Sequence, residues 1–279
     1  EAAVAWAVSL CYNPSRRWRE AMRAMAKLEQ GARELGLRLS AEHLALFQRY
    51  YEELVEWNQR FNLTTVVGYD EVQLRHFLDS LSCLLAMPGW SHEVVGDCLP
   101  FVRGPQPWQC LDVGAGAGFP GLPVKIVCPE LRLTLLEATR KKVEFLVHLV
   151  DELGLKGVEV IWNRAETLGQ NAHYRERYDL VVARAVAEMK VLSELTLPFC
   201  RIGGRVIAQK GVEAEQEVEE AGAALERLGG ALREVKEVKL PGQRGRRVLV
   251  IIDKVSPTPP AYPRRPGIPA KRPLVATSS

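Results

Sequence analysis

The chain has 279 residues, of which 47% are hydrophobic and 25% are charged, and its formal net charge is +3. This composition excludes the disordered and fibrous classes and allows one main domain with an accessory element. The cysteines form no Cys-x-x-Cys pair, and no histidine is spaced to complete a zinc site. We therefore expect reduced thiols in a cytoplasmic protein without a bound metal. Residues 2–10 are apolar but too few to span a bilayer, and no basic segment precedes them as in a secretory signal.

Residues 1–21 are predicted to be an extension of unknown role, and residues 22–90 to form an N-terminal helical cap. Ser40 is placed to cap a helix in which one face contains Leu44, Phe47, Tyr51, Leu54 and Asn58, with Tyr50 and Val55 beside them. Asp70 is placed to cap a second helix, whose apolar face is formed by Leu74, Phe77, Leu78, Leu81 and Leu85. A polar cluster lies mainly off that second face: Arg75, His76, Asp79 and Ser80. The sequence predicts that this cluster is either solvated or turned toward the main domain.

Residues 91–109 are predicted to be a linker loop, and residues 110–255 to form an α/β domain. The domain begins with the stretch that organises the chain, Cys110 to Glu137, which reads as strand, glycine turn, helix and strand. Four glycines occupy the turn, at positions 114, 116, 118 and 121. Glycine suits backbone that approaches a ligand closely or takes positive φ. The pattern predicts a site for a cofactor that carries a nucleoside.

Two cofactors fit this turn. Gly116, Gly118 and Gly121 satisfy the dinucleotide pattern G-x-G-x-x-G, and Glu137 lies close to the expected distance for a ribose-binding acid. Asp112 favours S-adenosylmethionine, because a carboxylate before the first glycine would repel a pyrophosphate and attract a sulfonium or an ammonium group. We therefore favour the methionine cofactor and keep a dinucleotide as the alternative.

Charged residues gather beyond the ends of the later predicted strands. Strands are predicted at 158–162, 178–183 and 204–209, and they are followed by Arg164 and Glu166, by Arg184, and by Lys210. In an open parallel sheet the carboxyl edge is where ligands bind. A helix predicted over 139–153 carries Arg140, Lys141 and Lys142 in its first turn. Cations are unfavourable there, so the placement predicts a bound polyanion.

The end of the domain is predicted to be an antiparallel hairpin, formed by residues 231–240 and 247–253. A mostly parallel, Rossmann-like sheet closed by such a hairpin resembles the class I S-adenosylmethionine-dependent methyltransferase fold. The segment from Leu240 to the end contains eight basic residues and one acidic residue. The last segment, 256–279, is rich in proline and is predicted to be either an extended strap or a disordered tail. Its charge is either solvated or forms a contact surface for phosphates.

Several motifs resemble those of the bacterial 16S ribosomal RNA guanine-N7 methyltransferase family, also called glucose-inhibited division protein B. They are Arg75–Leu81, Asn62–Thr64, Asp112–Gly121, Thr139–Lys142, Arg164–Glu166, Ala183–Ala185, Lys210–Gly211 and Pro263–Pro269. The resemblance covers residues 25–275, apart from part of the 91–108 loop. It implies methyl transfer from S-adenosylmethionine to N7 of a guanine in 16S ribosomal RNA, in the 530 loop, by a monomer without a membrane partner. The residues it implies as cofactor contacts are Gly114, Gly116, Phe119, Glu137, Ala138, Thr139, Ala165, Glu166 and Arg184.

The chain lacks the Asn/Asp-Pro-Pro-aromatic motif of amino-group methyltransferases, and Cys200 lies in an apolar segment. Guanine N7 already offers a lone pair, so we assign no catalytic base and expect catalysis by placement. The candidate substrate or RNA contacts are His76, Asp79, Arg140, Lys141, Arg184, Lys210, Arg264 and Arg265. Two other functions stay open, a dinucleotide-dependent oxidoreductase and a non-catalytic RNA-binding module.

Overall fold

The structure, a computed structural model, describes residues 25–87, 108–241 and 245–275. The predicted extension at 1–21 and nearly all of the predicted linker at 91–109 lie outside these residues. Within the described ranges, no helix is long and apolar enough to cross a membrane.

The first described segment forms three helices, α1 (Ala26–Glu34), α2 (Ala41–Phe61) and a composite α3 (69–86), of which the sequence predicted the second and the third. Ser40 caps α2, because its hydroxyl accepts a hydrogen bond from the backbone N–H of His43 at 3.2 Å. The buried face of α2 contains Phe47 and Leu54 as predicted, but it includes Tyr50 instead of Tyr51. The predicted face was therefore rotated from the buried one.

Helix α3 differs from the prediction in two ways. The residue before its first turn is Gly68, and Asp70 makes no capping bond, so the predicted cap was wrong. The Asp70 carboxylate instead pairs with Lys27 at 2.6 Å. The helix also changes pitch, from α (Tyr69–Val72) to π (Gln73–Leu78), α (Asp79–Leu81) and 3₁₀ (Ser82–Ala86). The π turn is a feature often found at functional sites. Asp79 and Ser80 are buried, and Asp79 faces the main domain, where it pairs with Arg184 and Arg247.

Seven strands form one sheet in the order β3-β2-β1-β4-β5-β7-β6. Their bounds are β1 (Gln109–Val113), β2 (Arg132–Glu137), β3 (Val158–Trp162), β4 (Tyr178–Arg184), β5 (Cys200–Lys210), β6 (Gly230–Val238) and β7 (Arg247–Lys254). The first five strands run parallel, and β7 lies antiparallel between β5 and β6. This confirms the predicted methyltransferase fold. The strand order reverses between β1 and β4, and ligands bind at such a switch point.

The helices that follow the strands are α4 (Gly121–Val127), α5 (Arg140–Glu152), α6 (Ala165–Leu168), α7 (Met189–Thr196), α8 (Ala214–Arg227) and α9 (Ile268–Lys271). Side chains alternate between two cores, because successive residues of a strand point to opposite faces. Cys110 joins the core shared with the helical cap, α4 and α5, and Leu111 joins the core shared with α7 and α8. The cap is thus built into one face of the sheet.

The described part of the tail, residues 256–275, is an extended strap rather than a disordered tail. The guanidinium of Arg175 holds it by donating to the carbonyl oxygens of Tyr262 and Thr258, both at 2.7 Å. The side chain of Gln170 donates to the carbonyl oxygen of Pro263 at 2.7 Å. These bonds fix the strap across the segment that follows β3.

Candidate active site

The glycine loop leaves β1 at the switch point between β1 and β4. Gly114, Gly116 and Gly118 have φ of +72°, +62° and +96°, a region that L side chains rarely adopt. A Cβ on Gly118 would lie 2.5 Å from the Tyr50 hydroxyl, so that glycine is required by packing. A Cβ on Gly116 would meet only the carbonyl oxygen of Gly114, at 3.8 Å. The loop therefore has open space beside Gly116, as a backbone cradle for a ligand requires.

Glu137, the last residue of β2, fixes this loop. One carboxylate oxygen accepts the N–H of Gly116 at 2.9 Å, and the other accepts the N–H of Thr139 at 2.7 Å. The side chain is buried. Because each carboxylate oxygen has two lone pairs, one on each oxygen remains for a further donor. The ribose of S-adenosylmethionine fits this position, because its hydroxyl groups can donate to the free lone pairs of Glu137 and the space beside Gly116 is open.

Asp112 lies beneath the loop and not at its mouth. Its Oδ2 accepts the N–H of Gly121 at 2.7 Å, and the side chain is fully buried. Burial raises the pKa of Asp112 to about 7, against the lowering effects of the Gly121 bond and of Arg184. Asp112 therefore supports the turn. It can attract a bound cation only through its electric field across the loop and not by direct contact.

An aromatic stack connects the cap to the loop. The Tyr50 hydroxyl donates to the carbonyl oxygen of Ala117 at 2.6 Å. The ring of Phe119 stacks on Tyr50 and on His76, with centroid distances of 5.3 and 4.6 Å. The guanidinium of Arg184 lies 4.8 Å from the centre of the same ring. Phe119, expected to pack against cofactor atoms, is therefore buried between protein groups.

Arg184 ends β4 in a network centred on Asp79. Arg184 pairs with Oδ2 of Asp79 at 3.2 Å, and Arg247 pairs with Oδ1 at 3.3 Å. Burial raises the pKa of Asp79, although both arginines act to lower it. The next residue, Ala185, has a positive φ of +54°, which is unusual for alanine. The chain thus bends sharply where the candidate residue ends its strand.

His76 is held in its neutral form. Its Nε2 lies 2.9 Å from the hydroxyl of Thr64, which belongs to the Asn62–Thr64 motif. Burial, and after it the nearby charge of Arg184, lower the pKa of His76 to about 3. The imidazole is therefore uncharged at neutral pH and is better suited to hydrogen bonding and stacking than to binding a phosphate.

A cleft of about 360 Å³ opens between α3 and the carboxyl ends of β4 and β5. It brings together four of the predicted residues, His76, Asp79, Arg184 and Lys210. The Lys210 ammonium donates to the carbonyl oxygen of Ala187 and to the carboxylate of Glu217, so its charge has an acidic partner.

Two cleft residues were missed by the sequence reasoning. Arg247 begins β7, and Gln209 donates from its side-chain amide to the carbonyl oxygen of Asp79. Antiparallel β7 places Leu249 opposite Gln209, which brings the start of β7 to the carboxyl end of β5. The predicted hairpin and the charge of Arg247 were the available signals, but the insertion of β7 between β5 and β6 was not predicted.

The candidate cofactor residues that follow β3 lie beside the strap. Ala165 begins α6, and the Glu166 carboxylate accepts the N–H of Gly267 at 2.9 Å. Arg264 pairs with the fully buried Glu194 at 2.6 Å, whereas Arg265 is exposed. Glu166 and Arg264 thus hold the strap in place, and of these three charged side chains Arg265 alone is exposed.

The remaining candidates lie after β2. The carbonyl oxygen of Ala138 accepts the indole N–H of Trp162 at 3.0 Å. Arg140 pairs with Glu144 at 3.1 Å along α5, and the Lys141 ammonium lies 5.8 Å from the ring centre of Phe61. Neither cation lines the cleft. The predicted substrate contacts therefore divide into a cleft set and an outer set.

Comparison with known proteins gives a consistent result. A family model described as "rRNA small subunit methyltransferase G" matches residues 43–248. A protein of that function name from Dehalococcoides mccartyi is 49% identical over 251 residues, which cover 90% of this chain and 100% of the relative. Relatives of the same name from Roseiflexus castenholzii and Streptococcus thermophilus are 47% and 46% identical, and the alignments cover 90% and 87% of this chain and 100% and 96% of the relatives.

Proposed function

This chain belongs to the rRNA small subunit methyltransferase G family, and we propose that it methylates N7 of a guanine in 16S ribosomal RNA with S-adenosylmethionine as the methyl donor. The observation that carries this proposal is the position of the glycine loop. The open space beside Gly116, bordered by Glu137, lies at the same switch point as the cleft lined by His76 and Arg184. One sheet edge thus offers adjoining places for a cofactor and a base.

The cofactor residues follow from the loop outward. The backbone of Gly114 and Gly116 provides the close approach, and Glu137 accepts from the ribose hydroxyls with its remaining lone pairs. Ala138 and Thr139 would lie beside the ribose, and Ala165 and Glu166, at the start of α6, would border the adenine. Phe119 and Arg184 support the end of the site nearest the cleft. Bound S-adenosylmethionine supplies an electrophilic methyl group.

The cleft residues position the base and need not remove a proton. Guanine N7 has a free lone pair, and His76, whose pKa is about 3, stays neutral at neutral pH. Holding the base in line with the methyl group can supply most of the acceleration. Asp79 holds Arg184 and offsets part of the positive charge that the cleft presents to the methylated, cationic purine.

Family membership favours this reaction over a dinucleotide-dependent oxidoreductase. The finer details of the proposal are that the protein acts as a cytoplasmic monomer, that the target guanine lies in the 530 loop, and that the outer cations Arg140, Lys141 and Arg265 contact RNA phosphates. Lys210 and Arg264, whose charges have acidic partners, support the cleft and the strap beside that RNA.

The test is methyl transfer from labelled S-adenosylmethionine to small ribosomal subunits, or their 16S RNA, from cells that lack this protein. We expect label in 7-methylguanosine after digestion to nucleosides. Gly116→Val should abolish transfer and S-adenosylhomocysteine binding, because the added methyl groups occupy the open space beside the loop. RNA binding without any transfer would instead support a non-catalytic RNA-binding module.

A matched control isolates the ligand effect from backbone strain. Gly154 has φ of +61° and no atom within 4 Å of an added Cβ, so Gly154→Val carries a similar strain away from the loop. This variant should keep transfer near the wild-type rate. Equal loss of transfer and of cofactor binding in both variants would contradict the cofactor site.

A further inference from the structure

One aromatic side chain at the carboxyl edge of the sheet is left uncovered. In the described part of the chain, Trp162 is the one exposed tryptophan, with 57% of its surface accessible. Its indole N–H donates to the carbonyl oxygen of Ala138 at 3.0 Å, so the ring is held in a fixed orientation. Its backbone partner in β2 is Glu137, the proposed ribose ligand. An exposed, oriented ring beside the cofactor site is an unusual use of a large apolar side chain.

Cations alternate with aromatic rings around this position. The guanidinium of Arg140 lies 5.5 Å from the ring centre of Trp162. On the other side of the first turn of α5, Lys141 and Arg60 lie 5.8 and 5.4 Å from the ring centre of Phe61. That turn carries no acidic residue. We name these five residues the α5 rim: Arg60, Phe61, Arg140, Lys141 and Trp162.

The protein itself does little to neutralise the α5 rim. The pair between Arg140 and Glu144 is exposed on both sides, and such pairs contribute little. In the described ranges, no ion pair is formed by Arg60 or Lys141 at a distance of 4 Å or less. Cations at a helix N-terminus oppose the helix dipole, so a bound polyanion would stabilise this arrangement.

We propose that the α5 rim binds a single-stranded segment of the RNA substrate, with one unpaired base stacked on Trp162 and phosphates on Arg140, Lys141 and Arg60. This inference rests on the proposed function, since it extends the substrate's path beyond the cleft. Single-stranded nucleic acid is bound by such combinations of aromatic rings and cations. Because Trp162 pairs with Glu137 in β2, the stacked base would lie on the ribose side of the cofactor, three strands along the carboxyl edge from Arg184 at the end of β4.

The central test measures binding of a 16S RNA transcript to the full chain with saturating S-adenosylhomocysteine. Trp162→Ala should weaken RNA binding by about tenfold, the typical loss of one stacked base. Trp162→Phe, which keeps a ring, should recover most of the affinity. Ile202→Ala is the control, because Ile202 is 50% exposed on β5 and lies outside the rim. It should bind RNA as the wild type does.

Salt dependence separates the two parts of the α5 rim. Trp162→Ala removes no charge, so the log–log slope of affinity against salt should stay at the wild-type value, whereas an Arg140→Ala/Lys141→Ala variant should flatten it. Tryptophan fluorescence should also be quenched by RNA in the wild type and less so in Trp162→Phe.

Two results would overturn the inference. Unchanged RNA affinity in Trp162→Ala would show that the ring takes no part in RNA binding. A loss of S-adenosylhomocysteine affinity that accounts for the loss of RNA binding would place Trp162 in the adenine pocket instead. Methyl transfer by the wild type is measured separately. RNA binding that depends on Trp162 without any transfer would refute the proposed function and leave the α5 rim intact.

Discussion

The cations that the sequence singled out fall into two groups with opposite physical situations. Arg184, Lys210 and Arg264 are mostly buried, and each pairs with an acidic side chain. Arg140, with 71% of its side chain accessible and only an exposed pair with Glu144, and Arg265 lie in solvent. A cation taken out of water needs a counter-ion from the fold, whereas an exposed cation remains free to meet a phosphate. The same residue type therefore supports structure in the first group and RNA contact in the second.

The largest expected effect is on the strap. Arg264→Ala would leave the fully buried Glu194 carboxylate without a counter-ion, with only the backbone N–H of residue 264 still donating to it, so the free energy of unfolding should fall by about 3–5 kcal/mol. Arg265→Ala, one residue along the chain, removes an exposed cation and should leave the unfolding free energy close to the wild-type value. Urea denaturation of both variants measures the difference. Similar stability for the two variants would contradict the claim that the buried cations stabilise the fold and the exposed cations do not.

The second prediction concerns a buried acid for which no ion pair is found within the described residues. Asp112 has a folded-state pKa of about 7, above its ordinary value of 3.8. The folded state therefore favours the neutral acid, whose stabilising contribution is complete below about pH 4 and is lost as pH rises through 7. The shift corresponds to about 4 kcal/mol. Asp112→Asn, which can still accept from Gly121, should remove this part of the pH dependence.

The measurement for Asp112 is the difference in unfolding free energy between the wild type and Asp112→Asn, followed from pH 4 to pH 8. The difference should move in favour of the asparagine variant as pH rises. A constant difference across this range would mean that the carboxylate titrates at its ordinary pKa.

The sequence predicted those parts of the molecule that depend on local patterns. The glycine turn, the acid at the end of β2 and the Ser40 cap are encoded within a few residues, and all were placed correctly. Charges that follow parallel strands were also assigned to one edge, because chain direction alone determines that edge. Arg184 and Lys210 accordingly both line the cleft.

The sequence could not predict features that depend on distant partners. The counter-ion of Arg264 lies 70 residues away in α7, so its pairing with Glu194 has no local signal. Arg247 reaches the cleft only because β7 pairs antiparallel with β5. The π turn in α3 likewise changes which residues face the domain, since it alters the helical period on which the predicted face depends.

The third prediction concerns Glu137, a buried acid at the cofactor site that accepts two backbone hydrogen bonds. Glu137→Ala should weaken S-adenosylhomocysteine binding by about 1–3 kcal/mol, because it removes a charged acceptor from the ribose and two bonds that hold the loop. Calorimetric titration gives the affinity. Glu144→Ala is the control, since that exposed acid pairs only along α5. Unchanged affinity in Glu137→Ala would exclude the ribose role.

The smallest effect on stability, and the most specific effect on RNA, is expected from the exposed cations. Replacing Arg140 and Lys141 by alanine should weaken RNA binding and reduce its log–log salt slope by roughly one to two units, while cofactor affinity stays constant. Arg132 and Lys156 are exposed at the opposite edge of the sheet, so their double alanine variant serves as the control. Equal slopes in wild type and in the Arg140/Lys141 variant would identify a solvated charge cluster.

The central claim, methylation of a guanine N7 in 16S RNA, is tested most directly by primer extension after borohydride and aniline cleavage at 7-methylguanine. RNA is taken from cells that lack this protein and from the same cells supplied with wild type, Gly116→Val or Gly154→Val. We expect one new stop, located in the 530 loop, with the wild type and Gly154→Val and none with Gly116→Val. The same cleavage pattern with and without the wild-type protein would contradict it.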